Sequence, residues 1–290
     1  MTEISSFWYT PKGYKGIGLM EILAIKSWLD NGYEFHLYTY NFSDKIFLKF
    51  QELFDNFILK DANEIVPFSE YFSDDRGAGV AAFSDYFRFN LLYQRDTLWV
   101  DLDMVCLNHV DLIQEYIFTQ EIDKDEAKPR ITTSFLKFPK NSDFGKNLIQ
   151  EAKKIIDDKK IIPWGVIGPW FLAEQVKKYN LEKFAWDYKK TCQISWCNVK
   201  FFLDDNVFID INQPFLHLYS EMWRRYALNK NYFYNNGIYG ILLKKHQIEN
   251  LINKLDFTFS FKDKYHAIFS ILYYIKYYIR HPKRIFIKNR

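Results

Sequence analysis

The chain is poor in the features that mark secreted, disulfide-stabilised or membrane-spanning proteins. It has only 3 cysteines in 290 residues, and their odd number and irregular spacing indicate neither a disulfide framework nor a zinc site. No basic segment followed by an apolar core opens the sequence, and no apolar run approaches the ~20 residues that a bilayer-spanning helix needs. From these absences we expect a protein of a reducing cytoplasm.

A strong charge of either sign is also missing. The 39 Lys and Arg residues against 36 Asp and Glu residues leave a net charge of +3, which is too small to indicate nucleic acid as a partner. Aromatic residues, in contrast, make up 20% of the chain. Some of them are expected to line a ligand-binding groove, although a codon bias toward Phe and Tyr is the simpler explanation of the excess.

Strand-like and helix-like patterns alternate along the first half of the chain. This alternation predicts an α/β fold on a mostly parallel sheet, and the length suffices for one large domain with an appendage. A short strand or extended segment is expected at 65–67 and irregular β structure at 192–208. Because ligands of such folds bind beyond the carboxyl ends of the strands, Trp8 and Asp101 are placed for binding.

The most informative segment reads FSDYFRFNLLYQRDTLWVDLDMVCLN. Ser84 is expected to cap a helix that carries Asp85 and Arg88 three residues apart. An apolar strand follows, and it ends at Asp101 and Asp103, whose alternation places both carboxylates on one face. Two hard oxygen ligands at a strand end suit Mg²⁺ or Mn²⁺ held against a diphosphate.

Each of these features also has a simpler interpretation. An Asp-x-Asp is common, and a second copy lies in the polar run EIDKDEAKP, where we expect a solvated loop. Asp101 and Asp103 would then be a turn or capping pair at a strand end. Asp85 and Arg88 would be an ordinary ion pair on a helix surface.

In their order along the chain, these residues resemble the DXD sugar-transferase signature of glycosyltransferase family 32. This family is related to Golgi mannosyltransferases and to the large clostridial glucosylating toxins. The similarity covers about residues 6–226. The positions that carry it are Phe7-Trp8, Ser84-Asp85-x-x-Arg88, Leu92-Tyr93, Trp99-Val100-Asp101-x-Asp103-x-x-Cys106-Leu107, Gly168-Pro169-Trp170 and His217 with Trp223.

The resemblance implies a role for each matching residue on the donor side. Those expected to contact the nucleotide sugar are Phe7, Trp8, Tyr9, Asp85, Arg88, Trp99, Asp101, Gly168 and Pro169. Trp8 would stack on the base and Trp99 would wall the sugar pocket, unless both simply pack in the core. The planar fork of Arg88 suits a phosphate, so Arg88→Lys is expected to lose turnover with little change in melting temperature.

The resemblance also implies a metal site and a catalytic set. Asp101, Asp103 and His217 are the expected ligands of Mn²⁺ or Mg²⁺, although a lone histidine is more often structural. Asp103 is the better candidate for direct contact with the metal, and Asp101 would contact the metal, a metal-bound water or the ribose. Trp223 would donate its indole N–H to the departing phosphate. The expected catalytic residues are Asp85, Arg88, Asp101, Asp103 and Trp223.

By the same resemblance, we expect a GT-A-type, Rossmann-like nucleotide-sugar-binding domain in residues 1–226. Its donor site would lie in the N-terminal half and its acceptor-side elements at about 130–226, with a helical, basic-aromatic extension at 227–290. The implied activity is metal-dependent, retaining transfer of a hexose-type sugar from a nucleoside-diphosphate sugar, with UDP favoured. The acceptor would be a glycan or lipid-linked glycan of bacterial capsule or lipopolysaccharide synthesis.

One departure from the family leaves an alternative open. The family has a Gly-Gly turn before the strand, and here Asp96-Thr97 takes its place. Either Asp96 adopts the left-handed backbone conformation that glycine readily adopts, or the turn has a different geometry. A sugar-nucleotide-binding scaffold without turnover is the corresponding alternative function.

The C-terminal segment 264–290 has a composition of its own. It contains seven Lys and Arg residues and no acid, with Ile, Tyr and Phe between them. This pattern predicts contact with an anionic membrane surface on the cytoplasmic face of the inner membrane. The alternatives are a terminal helix that packs on the catalytic domain and a module whose main function is membrane binding.

Overall fold

A seven-stranded sheet organises the part of the chain that the computed structural model describes, residues 3–123 and 128–265. Its strand order is β3-β2-β1-β4-β7-β6-β8, and β5 and β9 form a separate two-stranded sheet. The strands are β1 (Glu3–Trp8), β2 (Glu34–Thr39), β3 (Phe57–Asp61), β4 (Leu98–Val100), β5 (Met104–Cys106), β6 (Ile117–Glu121), β7 (Arg130–Lys137), β8 (Ala185–Trp186) and β9 (Phe215–His217).

Strands β1 to β4 run parallel to their neighbours, so their carboxyl ends meet at one edge of the sheet. On its other side β4 pairs antiparallel with β7, which in turn pairs antiparallel with β6. The expected α/β class with a mostly parallel central sheet is confirmed. Strand β4 therefore ends where the parallel and antiparallel parts of the sheet meet, and the chain leaves the sheet there to form β5.

Helices cover both faces of the sheet. They are α1 (Leu19–Asp30), α2 (Lys45–Leu53), α3 (Ala81–Gln94), α4 (Asp143–Asp157), α5 (Pro169–Lys178), α6 (Ser220–Arg225), α7 (Gly237–Lys245), α8 (Ile248–Lys254) and α9 (Phe261–Lys264). One hydrophobic core lies between the sheet and α1, α2, α7 and α8, and the other between the sheet and α3, α4 and α5. Ile4 and Phe7 of β1 belong to different cores, as the alternation of side chains along a strand requires.

Three local predictions were wrong. The segment 65–67 is not a strand, since the third strand of the sheet is β3. Segment 196–203 is a 3₁₀ helix and not β structure. Helix α3 begins at Ala81, so Ser84 lies inside its first turn, and the side chain of Asp74 accepts the Ala82 amide at 2.9 Å in the capping role.

The turn at Asp96-Thr97 is rebuilt rather than left-handed. Neither residue has a positive φ. The Thr97 hydroxyl instead lies 2.8 Å from the Ser5 hydroxyl and ties the turn to β1. A side-chain hydrogen bond thus holds this turn in place before β4 begins.

Helices α7 and α8 are part of the core that α1 forms. Ile238, Leu242, Ile248 and Leu251 are buried in the same cluster as Trp28 of α1. The described part of the predicted extension is therefore helical and continuous with the core, while the division at 226 stays a prediction. Residues 266–290 lie outside the described residues, and with them most of the basic-aromatic segment. Within the described ranges, no helix is both long and apolar enough to cross a bilayer.

Candidate functional site

The site is built around the turn that follows β4. The Asp101 amide donates a hydrogen bond to the Ser134 carbonyl of β7 at 2.8 Å. The Met104 amide donates one to the Asp101 carbonyl at 3.0 Å. Asp101 and Asp103 thus lie in a tight turn between two strands and not along one strand, as the alternation had predicted. The turn nevertheless brings their carboxylates to the same place.

His217 reaches these carboxylates through the small sheet. Strand β9 pairs antiparallel with β5, and Met104 is opposite His217 in their register. One ligand atom each from Asp101, Asp103 and His217 lies within 4.8 Å of the others. The three residues that the family resemblance nominated as metal ligands are therefore neighbours in space.

Asp103 uses both carboxylate oxygens in contacts within the protein. Oδ1 lies 3.2 Å from Nε2 of His217, and Oδ2 accepts the Ser220 amide, at the start of α6, at 2.7 Å. Burial alone would raise the pKa of Asp103, but the His217 charge and these hydrogen bonds outweigh it and lower the pKa. Burial likewise opposes the charge of His217, and Asp103 outweighs it, so the pKa of His217 is raised well above its usual value.

Asp101 has the opposite electrostatic balance. Its Oδ1 accepts the Trp99 indole N–H at 2.8 Å and lies 3.2 Å from Nη2 of Arg88. Its Oδ2 has no hydrogen-bond partner among residues 3–123 and 128–265. Burial, assisted by the charge of Asp103, raises the pKa of Asp101 despite the attraction of Arg88. Asp101 is thus a carboxylate with one free oxygen whose charge the fold alone does not stabilise.

Arg88 is at the centre of a buried network and not on a helix surface. It is 4% exposed, and Asp85 is 7% exposed. Its Nη1 lies 3.0 Å from Asp85 and donates to the Thr133 carbonyl at 2.8 Å, and the guanidinium lies 4.7 Å from the centre of the Trp99 ring. Burial raises the pKa of Asp85 to about 7, against the opposing charge of Arg88. The simple surface ion pair is excluded by this burial.

Gly168 brings the start of α5 against this network. A Cβ atom at Gly168 would lie 3.3 Å from Oδ2 of Asp85 and 3.2 Å from the Gly165 carbonyl. Both distances are tighter than ordinary van der Waals contact, so glycine permits the close approach. Pro169 is the first residue of α5, where its missing N–H costs no helical hydrogen bond. The predicted Gly-Pro segment therefore lies beside Asp85.

Of the four aromatic residues predicted to contact the donor, two are buried and two are only partly buried. Phe7 is buried and stacks on Phe87 with ring centres 4.4 Å apart, so it is a core residue. Trp99 is 1% exposed, and it contacts Asp101 through its indole N–H and Arg88 through its ring face. Trp8 is only partly buried at the end of β1, with its indole N–H on Thr10 at 2.8 Å, and Tyr9 is partly buried after it.

Trp223 does not have the predicted orientation. It is fully buried, and its indole N–H donates to the Leu218 carbonyl at 2.8 Å. Its ring packs against Tyr239 of α7 at 4.8 Å. In this structure the side chain therefore joins α6 to the core, and its N–H is not available to a departing phosphate.

Several contributors to the site escaped the sequence analysis. They are the Ser220 amide, the Thr133 carbonyl, Cys192 and Tyr219. Sγ of Cys192 lies 3.9 Å from Nδ1 of His217, and the ring centre of Tyr219 lies 4.0 Å from that of His217. The first two are backbone groups, which carry no residue signal. Tyr219 has a φ of +55°, a strained conformation for a bulky residue, and no sequence pattern indicates it.

Comparison with solved structures finds glycosyltransferases. The chain is similar to the PaToxG glycosyltransferase, with 13% identity and a TM-score of 0.43 over 62% of this chain and 70% of that chain. It is also similar to the glycosyltransferase GlyE of Streptococcus pneumoniae TIGR4, with 15% identity and a TM-score of 0.44 over 84% of this chain. The chain spans 63% of the length of GlyE, and the apo form of GlyE gives 13% identity and a TM-score of 0.42.

Comparison with protein families finds no match, and comparison with curated proteins finds none either. TM-scores below 0.5 are too low to transfer an activity.

Proposed function

We propose that the protein is a metal-dependent glycosyltransferase with a GT-A-type fold, which moves a hexose-type sugar from a nucleoside-diphosphate sugar to a glycan acceptor. The observation that carries the proposal is the convergence of Asp101, Asp103 and His217 within 4.8 Å, at the carboxyl end of β4. Ligands of parallel-sheet folds bind at this edge. The Asp85–Arg88 pair adjoins the cluster through Asp101.

The donor atoms of the cluster fit a divalent cation. Two carboxylates and one imidazole suit Mn²⁺, and Mg²⁺ accepts the carboxylates with water. Asp101 has an oxygen without a partner in the described residues, and a cation would offset the burial that raises the pKa of this carboxyl. When bound, such an ion would balance the charge that develops on a leaving diphosphate.

The other residues of the site have positioning roles in this proposal. Arg88 contacts Asp85 and Asp101 rather than solvent, so it would hold both carboxylates in place and add positive charge near the phosphates. Asp85, next to Gly168, would accept a hydrogen bond from a hydroxyl of the donor sugar. Retention at the anomeric carbon, by front-face attack of the acceptor, and the preference for UDP come from the family resemblance.

Aromatic side chains near Gly168 support a glycan as the acceptor. Trp170 is 68% exposed at the start of α5, and Trp164 is 39% exposed on the preceding loop. The Arg130 guanidinium lies 5.3 Å from the ring centre of Trp170. Sugar rings stack on exposed aromatic faces of this kind.

Trp170→Ala is expected to raise the KM for the acceptor about tenfold, because a lost aromatic contact costs about 1.4 kcal/mol. Donor hydrolysis without acceptor should be unchanged, since Trp170 does not contact the Asp101 cluster. Trp170→Phe, which keeps an aromatic face, should restore most of the affinity. An unchanged acceptor KM in Trp170→Ala would place the acceptor elsewhere.

The decisive test of the activity is a screen of nucleotide sugars with the purified protein and Mn²⁺, in which mass spectrometry detects free nucleotide. We expect release from one UDP-sugar and none in chelator. Binding of a nucleotide sugar without release, even with acceptor glycans present, would favour the inactive scaffold. Neither binding nor release from any donor would contradict the proposal.

A lipid-linked acceptor in capsule or lipopolysaccharide synthesis would make a membrane location useful. We predict that the full chain floats with vesicles of anionic lipid and that a chain stopped after Asp263 does not, because the bases of the predicted tail meet anionic lipid at about 1 kcal/mol each. Vesicles of neutral lipid are the control. Equal flotation of both chains, with the shorter one still folded, would exclude a membrane role of the tail.

A further inference from the structure

A second cluster of metal-binding side chains lies at the amino end of the sheet. Glu3 and Glu34 are the first residues of β1 and β2, and they are partners in the register of these strands. His36 lies two residues along β2 and on the same face as Glu34, because side chains alternate along a strand. One ligand atom from each of the three lies within 4.8 Å of the others.

This cluster is distinct from the site after β4. Ser5 is opposite Trp99 in the register of β1 with β4, so Asp101 is level with Phe7. Glu3 is four residues from Phe7, which is about 13 Å along the strand. The two groups therefore lie toward opposite ends of the parallel strands, and the proposed sugar transfer makes no use of the second one.

The two ring nitrogens of His36 face different carboxylates. Nε2 lies 2.7 Å from Oε1 of Glu34, within hydrogen-bond distance. Nδ1 lies 3.3 Å from Oε1 of Glu3, but it makes no hydrogen bond and is shielded from solvent. His36 as a whole is 7% exposed. When Nε2 carries the proton that Glu34 accepts, the lone pair of Nδ1 faces a carboxylate oxygen, and that contact is repulsive unless a second proton or a metal ion lies between the two atoms.

We propose that Nδ1 of His36 and the carboxylate of Glu3 bind a divalent transition-metal ion, with Glu34 as the carboxylate that orients the imidazole. With zinc-to-ligand distances of about 2.1 Å, the 3.3 Å separation of the two atoms gives an angle of about 104° at the metal, close to tetrahedral. A metal-bound histidine commonly donates its other N–H to a carboxylate, and Glu34 has that position.

Solvent access completes the site. The side chains of Glu3 and Glu34 are 31% and 40% exposed, which provides an entry path and leaves room for water as the remaining ligands. The Ser5 hydroxyl donates to Oε1 of Glu3 at 3.2 Å and helps to fix that carboxylate. A bound ion would join β1 to β2 at their amino ends and stabilise the folded chain by mass action.

Zinc uptake by the tag-free full chain tests this assignment. In equilibrium dialysis against Zn²⁺, Glu3→Gln should bind one equivalent less than the wild type. Zn²⁺ should also raise the melting temperature of Glu3→Gln by less than it raises that of the wild type. Glu70→Gln, which removes an exposed carboxylate outside the cluster, should bind as the wild type does. Asp101→Asn should lose a different equivalent, so failure of the site after β4 and failure of this one are distinguishable.

Co²⁺ provides a second measurement that does not depend on counting. Tetrahedral Co²⁺ with a histidine ligand should give intense visible absorption in Asp101→Asn, in which the site after β4 is disabled. This absorption should be absent in the double variant Glu3→Gln/Asp101→Asn with a native circular dichroism spectrum. Equal Zn²⁺ uptake by the wild type and Glu3→Gln would overturn the proposal. An equal loss of uptake in Glu70→Gln and Glu3→Gln would overturn it too.

Discussion

Asp101→Asn should abolish metal-dependent transfer without lowering the melting temperature. Asp103→Asn should lower both the rate of transfer and the melting temperature. Each carboxylate is a proposed metal ligand, and a lost ligand costs several kcal/mol of transition-state stabilisation, or about 100-fold or more in rate. The two variants differ in what the carboxylate does in the metal-free protein. Thermal unfolding in chelator at neutral pH, beside activity with Mn²⁺, measures this difference.

The directions of the pKa shifts determine the sign of each stability effect. The pKa of Asp103 is lowered, so its ionised form stabilises the fold above its unfolded-state pKa, and this stabilisation is lost as the pH falls through the folded-state pKa. Asparagine removes it at neutral pH and leaves buried His217 without its charged partner, at a cost of about 3 kcal/mol. The pKa of Asp101 is raised, so its ionisation opposes folding and asparagine relieves that cost.

Full Mn²⁺-dependent activity in Asp101→Asn would remove Asp101 from the proposed metal site. A melting temperature of Asp103→Asn equal to that of the wild type would show that the contacts with His217 and Ser220 contribute little to the fold. Glu64→Gln, which alters an exposed carboxylate, serves as the control for both variants.

Arg88→Lys should lose most turnover and also melt at a lower temperature. Lysine keeps the charge, but one ammonium group cannot contact Asp85, Asp101 and the Thr133 carbonyl together. The side chain is 4% exposed, so unmatched partners remain buried, at about 2 kcal/mol of unfolding free energy. The sequence alone predicted little change in melting temperature, because it gave no sign that this helix position is enclosed.

Activity and stability are separable in this variant. Donor hydrolysis measured well below both melting temperatures should fall at least tenfold for Arg88→Lys. Arg95→Lys is the control and should behave as the wild type, because Arg95 makes only a loose ion pair with Glu64 at 3.7 Å. Full activity of the folded fraction of Arg88→Lys would make Arg88 a purely structural partner of Asp85.

The local sequence determined the elements that carry the site. The apolar run before Asp101 and the helical pattern around Asp85 and Arg88 predicted β4 and α3, because strand and helix periodicities are visible within a few residues. The α/β class followed from their alternation. The exact start of α3 did not follow, since Asp74 caps it from outside the helical pattern.

The tertiary structure alone decided which side chains meet. Ser220 contacts Asp103 across 117 residues, and His217 reaches Asp103 only because β9 pairs with β5 in one register. Trp223 turns inward because burial of its ring on Tyr239 joins α6 to α7. The contact between Glu3 and His36 depends on the register of β1 with β2. Register is set by the burial of whole apolar faces against distant elements, and that information is not present in the residues around any one motif.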